Sequence, residues 1–242
     1  MRGLLRFLIS GALGFALLCL SVAAVRALLR IPVQLQPMGV LVPLLAGFAG
    51  GLGFFIFISR LPFLYVFSHE LTHWLAAKAF RRRTGRFRVG GTSGSVAVEQ
   101  PNVWIVLAPY FVPLYSIVWT GLYGFCRMVL REPGPWLTVL FACGLGITYA
   151  FHVRLTAHAL CRSQTDLRIY GPFFSLSLIT FCNLALLLLC VVVATGQWGR
   201  GAGIFLAEIR HVCGRLWWAA GWLADALGRL SATVNAGAMF AG

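Results

Sequence analysis

His69-Glu70-Leu71-Thr72-His73 is the one run in this chain whose spacing spells a reaction centre. Two histidines four residues apart fall on one face of a helix, one turn from each other. Both imidazoles can then reach a single metal ion. Zinc suits this pattern: two imidazoles, one further protein ligand and an open fourth position for water. Glu70 stands beside the pair and can accept a proton from water that zinc acidifies to near neutral pH. A peptide carbonyl polarised by the same ion is then open to attack. The plain structural alternative is two buried histidines paired with polar groups on neighbouring helices.

The third ligand must come from elsewhere. An extended HExxHxxGxxH motif is absent, because Ala76 and Ala79 occupy its last two positions. Acidic residues are few: Glu70, Glu99, Glu132, Asp166, Glu208 and Asp225. Asp166 is the best remaining carboxylate, as the only acid between Glu132 and Glu208. An unpaired carboxylate in such an apolar region is costly. Its rivals as ligand are His158 and His152, since imidazole also suits zinc. His158 reads alternatively as a partner that orients the Asp166 carboxylate. A helix N-cap is the structural alternative for Asp166.

The elements that must hold these residues belong to a membrane. Of 242 residues, 60% are hydrophobic and only 11% charged, against about 25% charged in ordinary soluble chains. A bilayer core takes about 20 apolar residues per helix. Uncharged runs of that order stretch from Phe7 to Val25, Gly39 to Ser59, Gln100 to Cys126 and Ile169 to Gly199. The expected fold is all-α: a polytopic transmembrane bundle of about six segments. These are about Leu5–Leu28, Met38–Ile58, Pro62–Phe80, Val103–Phe125, Pro135–Leu155 and Pro172–Thr195. The first reads as a retained span, because its apolar core exceeds a signal peptide's usual length. Gly47 and Gly51 in the second form a GxxxG pair suited to close helix contact. Pro109 and Pro113 fall inside the fourth, where neighbouring helices can satisfy the freed backbone. The seven cysteines carry no CxxC pair and read as small buried hydrophobes.

Between the third and fourth segments the pattern changes. Arg86-Phe87-Arg88-Val89 and Ser95-Val96-Ala97-Val98-Glu99 alternate polar and apolar around Gly90-Gly91-Thr92-Ser93-Gly94, which is a hairpin signal. A peptide unwound for cleavage needs backbone partners, and a strand edge supplies them. Gly91, Thr92, Ser93 and Gly94 are therefore candidate substrate-binding positions. An ordinary connecting loop is the alternative. The tail, about Gly201–Leu230, has apolar residues at helical spacing and three tryptophans, Trp217, Trp218 and Trp222, of the kind that favour headgroup depth. It reads as an amphipathic helix on the lipid bilayer. A helix docked on a soluble partner, or a contact in a homo-oligomer, is the alternative. The division is 1–60 for an N-terminal transmembrane pair, 61–196 for a membrane core carrying the motif, and 197–242 for the tail.

The net charge of +14 rests on nineteen arginines and one lysine. They stand mostly at the ends of apolar runs, where they meet lipid phosphates and snorkel. No soluble basic module remains to serve a nucleic acid. The positive-inside rule places Arg81–Arg88 in the cytoplasm. The fourth span then leaves, the fifth returns, and Asp166 comes back to the side of His73. On this count Arg2, Arg6, Arg127 and Arg131 fall outside.

With HExxH in an apolar helix, a Gly-rich hairpin after it and a later Asp at a membrane edge, the chain resembles the site-2 protease family of intramembrane zinc metalloproteases. It is most similar to the family's small bacterial-type branch. The likeness covers about residues 60–195. It rests first on His69-Glu70-Leu71-Thr72-His73, then on Val89-Gly90-Gly91-Thr92-Ser93-Gly94 and Leu107-Ala108-Pro109, and last on Gln164-Thr165-Asp166-Leu167. The family's Asn-Pro…Leu-Asp-Gly run, its Asn after Gly-Pro and its PDZ insertion are missing here. The resemblance implies a multi-pass protein of the inner membrane, with zinc held by His69, His73 and Asp166. It also implies hydrolysis of membrane-embedded or membrane-adjacent segments of a protein or peptide substrate. The competing readings are a non-proteolytic zinc-binding membrane protein, such as a pseudoprotease or assembly factor, and a transporter-like bundle.

Overall fold

The computed structural model describes residues 2–35, 38–57, 61–91, 93–130, 134–161, 165–195 and 197–239. They form nine helices and one hairpin: α1 (Arg2–Leu35), α2 (Met38–Phe57), α3 (Pro62–Ala79), β1 (Thr84–Val89), β2 (Gly94–Val98), α4 (Val103–Phe111), α5 (Leu114–Val129), α6 (Pro135–Leu160), α7 (Thr165–Ile169), α8 (Pro172–Thr195) and α9 (Trp198–Met239). Four helices are long and apolar enough to cross a membrane: α1 over Phe7–Ile31, α2, α6, and α8 over Pro172–Val193. The α4–α5 pair makes a fifth crossing if its two limbs count as one. The expected count of about six included α3, which is not among these helices. Large apolar side chains are exposed on them, among them Phe7, Val42, Leu45, Leu140 and Phe173. Exposed apolar surface on that scale marks a lipid-facing wall.

Without a hydrophobic drive between helices, close packing decides which pair together. Gly47 and Gly51 let α2 lie against the α6 backbone at Cys143 and Ile147, and Gly146 of α6 returns the favour at Leu44 and Phe48. The GxxxG pair is thus a packing device, and the two helices run the same way. Helix α5 runs against α6, tied by Ser116 Oγ to Thr148 (3.1 Å) and by Tyr123 to Thr138 (3.4 Å). Helix α1 runs with α8: Gly14 abuts Phe173 near the start of α8, while Ala27 and Ile31 share a core with Leu188, Val191 and Val192 near its end. The first two helices are therefore built into the bundle that carries the motif.

Helix α1 begins beside the start of α8, at the end of the bundle where α7 brings Asp166.

The fourth segment is not a single straight span. Its limbs meet at 73°. Pro113 has no N–H to continue the ladder, and the Leu114 N–H turns instead to the Val112 carbonyl at 2.9 Å. Asn102 caps the start of α4, its Oδ1 accepting from the Ile105 N–H at 3.0 Å.

The hairpin follows α3 through a tight reversal. Arg81 takes a left-handed conformation, φ 53°, and Arg82 N–H donates to the Ala77 carbonyl at 2.8 Å. That is a Schellman-type stop with Arg where glycine is usual. Strands β1 and β2 pair antiparallel, with Phe87 opposite Val96 and Val89 opposite Gly94. Phe87 packs edge-on against Phe67 of α3, 6.3 Å between centroids. The tail is one long helix, as its periodicity predicts, joined to α1 by a buried carboxylate: Glu208 accepts from Arg26 Nε (2.5 Å) and forms an ion pair with Arg30 Nε (2.8 Å). The cysteines are free thiols, and Cys161 and Cys213 are exposed rather than buried.

Candidate metal centre

Helix α3 presents His69 and His73 on one face, their rings 4.9 Å apart and edge to face. Asp166 arrives from α7, a single turn between α6 and α8. One nitrogen from each histidine and one Asp166 oxygen all lie within 4.8 Å of one another. Among the described residues this is the one cluster of three such groups that could hold a metal ion. Two imidazoles and a carboxylate are the donor set of an open zinc site.

The neighbours of the three groups fit the same use. His73 Nδ1 lies 2.8 Å from the Ile105 carbonyl oxygen. A carbonyl only accepts, so Nδ1 carries the proton and Nε2 keeps its lone pair for the site. Metal-ligating histidines are commonly fixed in this way. That carbonyl is available for a local reason: Pro109 stands four residues on and has no N–H to occupy it. Asp166 Oδ2 accepts from the Tyr110 hydroxyl at 2.9 Å. The Tyr110 ring meets His69 edge to face at 5.6 Å.

Glu70 points to the hairpin side. Its carboxylate accepts from the Val96 N–H of β2. This N–H lies on the edge of β2 away from β1, so β2 offers its free edge to α3. Gly94 makes the approach possible: a Cβ there would come within 2.6 Å of Glu70 Cγ and 2.7 Å of Val66 Cγ1. Of the four turn positions proposed from sequence, Gly94 therefore touches the site through Glu70. Gly91 and Ser93 form the exposed tip, and Thr92 lies outside the described residues.

The rival ligands are placed elsewhere. His152 is buried in α6, its Nε2 3.1 Å from Asn183 Oδ1 of α8. His158, in the last turn of α6, is not one of the three clustered groups. Asp166 is the second residue of α7 rather than the cap of α8.

Sequence reasoning missed Tyr110, Asn183 and the Ile105 carbonyl. The signal for the carbonyl was present in Pro109, since a proline within a helix always frees the oxygen four residues before it. Nothing in the spacing announced Tyr110 or Asn183, which act across helices. Comparison with family models, curated proteins and solved structures finds no match to this chain.

Proposed function

We propose that this protein is a membrane-embedded zinc metallopeptidase of the site-2-protease kind, hydrolysing peptide bonds in membrane-embedded or membrane-adjacent segments. The observation that carries the reading is the convergence of His69, His73 and Asp166, from α3 and α7, beside Glu70. A bound zinc ion would supply Lewis acidity and acidify a water to near neutral pH.

The chain's own groups supply the rest. Glu70 is the general base: it neighbours the cluster without belonging to it, and a carboxylate takes a proton without needing a metal bond. It later returns that proton to the leaving amine. The free edge of β2 takes the substrate in extended form by strand addition, with the Val96 N–H passing from Glu70 to a substrate carbonyl. Tyr110 and the apolar core around Val106, Leu107, Leu178 and Ile179 close the site on the bundle side. The arginine-rich end, with Arg81, Arg82, Arg83, Arg86 and Arg88, is assigned to the cytoplasm by the positive-inside rule. The centre then opens to the cytoplasmic side of the inner membrane.

The test is a three-way comparison in reconstituted vesicles with a membrane-anchored peptide substrate. Wild type should hold about one zinc per chain, as one open site allows. Glu70→Gln should hold the same zinc and lose turnover by about 10²–10⁴-fold, the usual weight of a general base. His69→Ala should lose both. Equal turnover in Glu70→Gln rules the mechanism out. Zinc binding without cleavage of any membrane substrate favours the non-proteolytic reading.

A further inference from the structure

We infer that Tyr110 is the positioning residue of the metal centre, holding Asp166 through its side chain while its own backbone is pinned by α6 and α8. The inference rests on the reading of His69, His73 and Asp166 as the ligand set.

In a continuous helix the Tyr110 carbonyl would accept from the Leu114 N–H. That N–H goes to Val112 instead, because Pro113 has ended α4. A bare carbonyl inside a membrane bundle is expensive. Asn183 of α8 answers it, Nδ2 donating to the Tyr110 oxygen at 3.0 Å. Thr156 Oγ1 of α6 adds a longer contact at 3.4 Å, and His152 also faces this oxygen. Asn183 is itself held: its Oδ1 faces His152 Nε2, and its backbone oxygen accepts from Tyr149 at 3.0 Å. Two spanning helices thus fix the Tyr110 peptide in the core.

From that anchor the side chain reaches Asp166. Tyr110 is 1% exposed, so its hydroxyl has one geometry available and spends it on Oδ2. A hydroxyl donating to a carboxylate makes a strong, charge-assisted bond. Asp166 needs such a partner. Helix α7 is five residues long, far below the length at which a helix holds itself. Without Tyr110 the carboxylate would turn about its own rotamers in front of the two imidazoles. With it, the carboxylate is held in one orientation beside the two imidazoles. Partners of this kind carry about 10–100-fold in metal affinity.

The experiment is zinc affinity of the full chain in nanodiscs, by chelator competition, alongside thermal stability of the metal-free protein. Tyr110→Phe removes one oxygen and keeps the ring. It should weaken zinc by about 10–100-fold with little change in metal-free stability. In an Asp166→Asn background the same change should have no further effect. A second variant, Asn183→Ala, leaves the hydroxyl in place and loosens its anchor; it should also weaken zinc in the folded fraction. Unchanged affinity in Tyr110→Phe, or an equal loss with and without Asp166, overturns the inference. A loss of stability without a loss of affinity in Asn183→Ala overturns the role given to the anchor. If wild type and His69→Ala bind zinc alike, the ligand set itself has failed, which is a different result from any of these.

Discussion

His73 Nδ1 and the Ile105 carbonyl oxygen face each other at 2.8 Å across the α3–α4 interface. The bond exists because Pro109 cannot donate to that oxygen. Pro109→Ala should restore the helical donor and set it in competition with His73. The helix itself should gain stability, since proline costs about 3 kcal/mol in a helix interior. Zinc affinity should nonetheless fall, because the His73 ring loses exclusive use of its anchor. A chelator titration and a melting curve on one preparation check both directions. A variant that melts higher and binds zinc as tightly as wild type would show that the carbonyl does not orient His73.

The identity of the third ligand separates cleanly by substitution. Asp166→Ala and Asp166→Asn should both lose most of the metal, since an amide is a poor substitute for a carboxylate at zinc. His158→Ala should keep it, as His158 is outside the cluster. Metal content per chain decides. Loss in His158→Ala with retention in Asp166→Asn would exchange the two assignments.

Gly94 sets how near the hairpin comes to Glu70. Gly94→Ala puts a carbon 2.6 Å from Glu70 Cγ and 3.1 Å from the Arg88 carbonyl. The strand must move off α3, at about 1–3 kcal/mol for overpacking of this kind. None of the three ligand residues is touched, so zinc should stay. Cleavage should fall, and the Val96 amide should exchange faster with solvent once Glu70 no longer covers it. Val96→Pro should act the same way by deleting the donor. Full turnover in both variants would reduce the hairpin to a connecting loop.

The parts of this structure legible in the sequence are those written in local pattern. Apolar runs located α1, α2, α6 and α8, alternation located β1 and β2, and the His69–His73 spacing located two members of the cluster that could hold a metal ion. Scarcity located Asp166: with so few acids, elimination was informative. Three things were not legible. The bend between α4 and α5 depends on whether neighbours re-satisfy the backbone around Pro113, which a single run does not reveal. Helix α3 was counted as a span, yet its polar centre at His69, Glu70 and His73 leaves it outside the helices long and apolar enough to cross a membrane. The links of Tyr110 to Asp166 and to Asn183 join elements far apart in sequence, and no periodicity encodes them.

Glu208 supplies the pH-dependent prediction. Its side chain is 1% exposed and lies between Arg26 and Arg30 of α1. The Arg26 hydrogen bond, then the Arg26, Arg30 and His211 charges, hold its carboxyl below the ordinary value of 4.5, against the opposing effect of burial. A carboxyl lowered in the folded state contributes stability that is complete above its unfolded value. The contribution shrinks as pH falls below that value and is gone once pH passes the folded one. The α1–α9 junction should therefore hold unchanged from neutral pH to about 5 and loosen below about 4. Amide exchange at Ile204 and Phe205, which pack against the α1 core, reads the junction directly. Glu208→Gln should remove this acid limb. It should also weaken the junction at neutral pH, because two arginines then face each other without their shared anion. An acid limb of the same size in Glu208→Gln would assign the pH dependence to another group.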